Sequence, residues 1–242
     1  MEKLTQVQLQ RVHEIRDQIK RIKKLQEATK SPVFIELLGT PKSGKTTLKK
    51  ALMKLADYNG LDFMARQETA EVNPIEKGKV QYDPWMVLEL MKNVAEDMSS
   101  DSSKIVLYDR GLLDRVPWMR YDVINGTMSK GDFDRFMALY NSNLFRSYRP
   151  ISRIFITSPE LSVQRKGKPG FFVNVDSVGK YNGLLDESLS EIMNHSGDSK
   201  IIKTDDYQGY LKGFIVDSVH GILEDVEINL SKQVEMECGV VK

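Results

Sequence analysis

A chain of 242 residues, 40% of them hydrophobic, can supply the core of one large domain or of one domain with an appendage. Its 35 lysines and arginines against 34 aspartates and glutamates leave a formal charge of +1, which excludes a global basic field of the kind that gathers nucleic acid, though not a local patch. The single cysteine, Cys238, excludes an internal disulfide and a cysteine-based zinc site; with no stretch near twenty apolar residues and a polar start, the expectation is a soluble cytoplasmic protein with no membrane partner.

Residues 1–31 read as an amphipathic, basic N-terminal helix. From Leu4 to about Ala28 there is no glycine or proline, and Val12, Ile15, Ile19 and Ile22 recur at three- and four-residue steps. Arg16, Lys20, Lys23 and Lys24 crowd the opposite face, which is either a solvated flank of a packed helix or a contact surface for a polyanion. Ser31-Pro32 ends the segment, because the residue before proline is pushed out of the helical region.

Residues 32–242 read as the second unit. Val33 to Leu38 is a mostly apolar run of strand character, and Gly39-Thr40-Pro41-Lys42-Ser43-Gly44-Lys45-Thr46-Thr47 follows as G-x-x-x-x-G-K-T before a helical stretch from Leu48. Strand, loop and helix in that order form a polyphosphate cradle. Gly39 and Gly44 let the backbone curl so that the N–H groups of Thr40, Lys42, Ser43, Gly44, Lys45, Thr46 and Thr47 face an anion, and the helix dipole points at the same place. Lys45 is then placed to reach the outer phosphates, and the Thr46 hydroxyl to hold Mg²⁺. ATP is the expected donor.

After a turn at Asp57-Tyr58-Asn59-Gly60, Leu61 to Arg66 reads as a second strand leading to Glu68. A carboxylate at the carboxyl end of a strand in an open α/β sheet is a candidate general base; the alternative for Glu68 is a charge favouring a helix start. Asp83-Pro84 opens a helix through about Asp97 with Trp85, Leu88 and Met91 on one side, and Tyr82 and Trp85 either stack on a planar substrate or, as aromatics at helical spacing more often do, join the core. Lys104 to Tyr108 is the third strand and delivers Asp109-Arg110-Gly111. An acid at that point suits Mg²⁺, so Asp109 joins Thr46 as a candidate metal ligand, while Arg110 can neutralise a transferring phosphoryl group or orient an acceptor hydroxyl. Asp114 and Arg115 either line the same cleft or form an exposed helix start.

Asp132 to Tyr148 is expected as one helix burying Phe133, Phe136, Met137, Tyr140 and Leu144. Ile151 to Thr157 is a fourth strand, ended by Ser158-Pro159. Arg165-Lys166-Gly167-Lys168-Pro169-Gly170 combines cations with glycines, which suits a lid, at about 160–185, closing over phosphates, the alternative being a solvated basic loop. Lys200 to Asp205 is a fifth strand, Tyr210 to about Leu230 a closing helix, and the tail after Lys232 is expected to fray.

Five strand signals alternating with helices give a doubly wound five-stranded parallel sheet, an α/β fold. The phosphate loop, Glu68-Thr69-Ala70, Asp109-Arg110-Gly111 and the basic stretch from Arg165 together resemble the P-loop kinases of nucleosides and nucleotides, the deoxynucleoside kinase and thymidylate kinase group, over residues 32–230. The resemblance implies sheet order 2-3-1-4-5, Glu68 as base for the acceptor hydroxyl, Arg110 positioning that hydroxyl and Arg165 on the transferring phosphate. It implies a kinase that moves the γ-phosphoryl group of ATP to a nucleoside, nucleotide or related small molecule. No Asn-Lys-x-Asp guanine motif and no Leu-Ser-Gly-Gly-Gln signature occur, which disfavours a GTPase and a transporter ATPase. A nucleic-acid-binding ATPase or polynucleotide kinase that grips a backbone with the basic helix stays open, as does self-association into a homo-oligomer.

Overall fold

The five strand signals become parallel strands of one sheet: β1 (Val33–Gly39), β2 (Phe63–Arg66), β3 (Ile105–Asp109), β4 (Ile151–Ile156) and β5 (Asp198–Lys203), in the order β2-β3-β1-β4-β5. The computed structural model describes residues 4–76, 79–102, 104–165, 174–207 and 211–239. Register sets Leu37 beside Asp109, Gly39 beside Phe155 and Arg66 beside Tyr108, so the carboxyl ends of β1, β2 and β3 share one edge.

A parallel sheet needs both faces covered. Successive side chains of a strand alternate between faces, so Phe34, Leu38, Val106, Tyr108 and Ile154 meet α4 (Tyr82–Met98), α5 (Leu112–Ile124), α6 (Lys130–Tyr140) and α8 (Val175–His195). Ile35, Leu37, Ile105, Leu107 and Phe155 meet α1 (Gln6–Ala28), α2 (Lys45–Asn59) and α9 (Leu211–Glu237) on the other. The short helices α3 (Thr69–Val72) and α7 (Pro159–Gln164) sit at strand ends.

α1 opens with a capping box, in which the Thr5 hydroxyl accepts from the Gln8 N–H and the Gln8 side chain accepts from the Thr5 N–H. It packs on the body through its apolar stripe: Ile15, Ile19 and Ile22 lie in one apolar cluster with α2, α9 and β1. Arg11 and Arg21 pair with Asp217 and Glu227 of α9, while Arg16, Lys20, Lys23 and Lys24 remain exposed.

Four local expectations change. α4 buries Met86, Val87, Leu90, Met91 and Val94, leaving Leu88 exposed and Trp85 half-buried, because the buried stripe lies one position round from the expected one. α6 stops at Tyr140 instead of Tyr148 and Leu144 is exposed; Asn141-Ser142-Asn143 follow, whose short polar side chains compete for the backbone. α9 continues to Glu237 rather than fraying after Lys232, and the Glu237 carboxylate there accepts from the hydroxyls of Thr29 and Ser31. α8 was not marked in the sequence, where Gly179, Asn182 and Gly183 weaken the helical signal. It buries Val178, Tyr181, Leu185 and Ile192 at helical spacing, and its first half occupies the stretch 175–185 assigned to the lid. Lys166, Gly167, Lys168, Pro169 and Gly170 lie outside the described residues.

Candidate active site

β1 ends at Gly39, whose φ of +114° puts it where side chains are rarely found; a Cβ there would fall 2.1 Å from the Phe155 carbonyl oxygen. Gly44, at φ +100°, is the N-cap of α2. The loop between them is tied to its surroundings. Thr40 N–H donates to the Phe155 carbonyl at 2.8 Å, the Thr40 hydroxyl donates to Asn182 at 2.7 Å and accepts from Thr157 N–H at 3.2 Å, and the Ser162 hydroxyl donates to the Pro41 carbonyl at 2.8 Å. Such anchoring pre-sets the N–H groups for an anion.

Lys45 and Ser43 are buried. The Lys45 ammonium donates to the carbonyls of Gly39 and Thr40 at 2.9 and 2.7 Å and to the Ser43 hydroxyl at 3.1 Å. Burial, reinforced by the nearby Arg110, pushes its pKa down to about 7 against the opposing pull of Asp114, Asp109 and Glu68. Thr46 and Thr47 are exposed at the start of α2, and the Thr46 hydroxyl donates to Asp109 Oδ2 at 3.0 Å. That hydroxyl and carboxylate form a hard-oxygen pair of the kind Mg²⁺ takes. Among the described residues no group of three or more His, Cys, Asp or Glu side chains could hold a metal by itself.

Asp109 closes β3, and Arg110 then turns with φ +67°, its N–H donating to the Leu37 carbonyl at 2.9 Å. A non-glycine residue held there signals local strain of a kind that gathers at functional sites. The turn brings Arg110 Nε to 3.4 Å from Glu68 Oε1 and its Nη1 to 2.9 Å from Asp114 Oδ2. Glu68 is the N-cap residue of α3, but its side chain makes no capping hydrogen bond, so it is not spent on the helix start. Burial raises its pKa, and Arg110 opposes part of that rise.

Asp114 is fully buried and joins these parts. Its Oδ1 accepts from the Gly39 N–H at 2.9 Å and the Tyr181 hydroxyl at 3.2 Å; its Oδ2 accepts from Arg110 and from Trp118 Nε1 at 3.0 Å. Burial alone would raise its pKa, yet Arg110 and Lys45 outweigh burial and hold it below the usual carboxylate value. The exposed helix start considered for Asp114 and Arg115 is therefore replaced by a buried one. Arg115 donates to Asp83 at 2.8 Å and lies over Trp118, which also faces Arg110. Nearby, Asp122 is pushed up to about 7 by burial and then by Asp83, and nothing in the sequence pattern had marked it. Tyr82 and Trp85 are half-buried at the start of α4.

Arg165 is placed differently from the expectation of a lid cation. Its guanidinium donates to the Lys42 carbonyl at 3.1 Å, to the Thr204 hydroxyl at 3.2 Å and to the Thr204 carbonyl at 3.3 Å, so here it braces the phosphate loop from outside. Among the described residues no helix is long and apolar enough to cross a membrane.

No protein-family model matches the chain, and a search of curated proteins finds no similar sequence. Solved structures do match. A Mycoplasma mycoides deoxyadenosine kinase with bound dCTP aligns with TM-score 0.54 at 15% identity over 78% of this chain and 100% of its own. The same kinase with bound dATP aligns with TM-score 0.56 at 15% identity over 77% and 98%, and with the products dCMP and a flexible dCDP with TM-score 0.55 at 14% identity over 78% and 100%. This chain has the P-loop fold of the deoxyadenosine kinases, with a five-stranded parallel sheet in the order 2-3-1-4-5 covered by helices on both faces.

Proposed function

We propose that this protein is a kinase that transfers the γ-phosphoryl group of ATP to a hydroxyl of a nucleoside or a related small molecule. The observation that carries the reading is the Glu68–Arg110 pair, 3.4 Å apart and joined through Asp114 to the phosphate loop. The N–H groups of Lys42 to Thr47 hold the phosphates, and Lys45 turns from the carbonyls of Gly39 and Thr40 to the outer ones. Arg110 directs the acceptor hydroxyl, and Glu68, its proton affinity raised by burial, takes the hydroxyl proton as the new P–O bond forms and the bond to the leaving diphosphate breaks. Thr46 and Asp109 would hold Mg²⁺, which when bound neutralises phosphate charge. Tyr82, which feels the Glu68 charge, and Trp118, which faces Arg110 and Arg115, would border the acceptor. Arg165 serves by bracing the loop, and the likeness to deoxyadenosine kinases supports a nucleoside acceptor.

A panel of nucleosides, nucleotides and oligonucleotides with labelled ATP tests this reading. Transfer to a nucleoside that changes little with salt is the expected result. Transfer to oligonucleotides that falls steeply with salt would overturn it in favour of a polynucleotide kinase, since counterion release makes backbone binding salt-dependent. The cations that would serve such a role, Arg16, Lys20, Lys23 and Lys24, are exposed on α1, so the salt dependence separates the two readings.

The depressed pKa of Lys45 predicts proton uptake on nucleotide binding. With a folded pKa near 7, the lysine is largely neutral at about pH 8, and polyphosphate favours its charged form. Calorimetry in buffers of different ionisation enthalpy is expected to show uptake approaching one proton at that pH; no transfer would mean that Lys45 is already charged. The same shift makes the buried ammonium costly to the folded protein below a pH near 7, and this cost is relieved as pH rises toward 10.5.

A further inference from the structure

Glu36 is a buried carboxylate with no part in the reading above. It stands in the middle of β1, on the face toward α5, and is fully buried. Among the described residues no lysine or arginine pairs with it. Its partners are instead the Leu113 N–H, at 3.0 Å from Oε2 and 3.4 Å from Oε1, and the Tyr148 hydroxyl at 2.6 Å from Oε1. Leu113 is the second residue of α5, where a helix has a free N–H that the N-cap side chain normally satisfies. The N-cap of α5 is Gly111, which has no side chain to offer. Its φ of −83° and ψ of −157° suit any residue, so backbone strain does not require glycine there. The space does: a Cβ on Gly111 would fall 2.3 Å from both Cδ and Oε1 of Glu36.

We propose that Glu36 is a positioning residue: reaching across from β1, its carboxylate replaces the missing N-cap of α5 and so fixes the Asp109–Arg110 turn and Asp114 against the phosphate loop. The linkage runs in both directions along the chain. Leu37, next to Glu36, accepts the Arg110 N–H at 2.9 Å, and Asp114, next to Leu113, accepts the Gly39 N–H at 2.9 Å. Either protonation state of Glu36 keeps an oxygen for the Leu113 N–H, so the cap does not depend on its ionisation.

The inference rests on the kinase reading for its rate effect, but its structural half can be measured without a substrate. The test moves the cap from the strand to the helix, with Glu36→Ala, Gly111→Ser and the two combined. Glu36→Ala is expected to lower kcat by about tenfold while the KM for ATP changes little, because the phosphate loop keeps its own anchors and only the Arg110 turn drifts. Glu36→Gln, which keeps the shape and one accepting oxygen, is expected to retain more turnover than Glu36→Ala. Gly111→Ser alone is expected to lower Tm through its collision with the Glu36 carboxylate. The double variant gives the new serine room and an N–H to cap, and is expected to recover most of the lost kcat and the hydrogen-exchange protection of the Leu113 amide. A double variant that folds where a single does not also supports the coupling. The proposal is overturned if Glu36→Ala leaves kcat and Leu113 exchange unchanged, or if the double variant is no better than either single in folding, exchange and rate. If no acceptor is ever phosphorylated, the kinase reading fails, while exchange at Leu113 still decides the role of Glu36.

Discussion

Replacing Lys45 with alanine is expected to lower phosphoryl transfer by about a thousandfold, roughly 4 kcal/mol of transition-state stabilisation, while leaving the fold in place. The size follows from where the charge acts. Its ammonium is the buried cation at the mouth of the phosphate loop, within reach of the first loop carbonyls. The fold should tolerate the loss because burial already disfavours that charge and pushes its pKa down to about 7. Hydrogen bonds to Gly39, Thr40 and Ser43 are lost, but so is the desolvation cost that opposes them. Steady-state rates and a thermal melt on the same preparation test both halves. Near-normal turnover in the alanine variant would remove Lys45 from the chemistry.

Glu68→Gln and Arg110→Met are each expected to lower kcat by about a hundredfold or more, with ATP binding retained and the double variant falling far short of the product of the two losses. The two side chains face one another at 3.4 Å and would converge on one acceptor hydroxyl, so removing either disables the same step. Their effects on stability should differ. Arg110 is also the cation against buried Asp114, so Arg110→Met leaves that carboxylate with only its neutral donors and Lys45 nearby, and Tm should fall. Glu68→Gln keeps a similar shape at a partly exposed position and should leave Tm nearly unchanged. Rates must therefore be measured per folded molecule. Multiplicative rate losses would assign Glu68 and Arg110 to separate tasks.

The parts legible in the sequence were those written in short spacings. Gly39, Gly44 and Lys45 announce the phosphate loop because φ, close approach and charge are all set within a few residues, and the structure shows the left-handed glycines and the strand and helix around them. The strand order is the one the family resemblance implies, and it puts the end of β3 between those of β1 and β2, where Glu68 meets Arg110. Several helix limits were less legible. Gly179 and Gly183 hide α8 from a propensity count, although its buried residues keep helical spacing, and the end of α9 is held by Thr29 and Ser31, far back in the chain.

By itself, then, the sequence determined a glycine-rich loop between strand and helix on a parallel α/β sheet and the residue types at three strand ends, because those depend on local geometry and period. Tertiary structure alone decided what surrounds them. Asp114 reaches the Gly39 N–H across 75 positions, and Glu36 reaches the Leu113 N–H across 77. Arg165 spans 123 positions to brace Lys42. No spacing rule encodes such pairs: whether a charged side chain is solvated, paired or used as a cap depends on which elements the sheet brings together, and in a parallel sheet neighbouring strands are separated by a whole crossover.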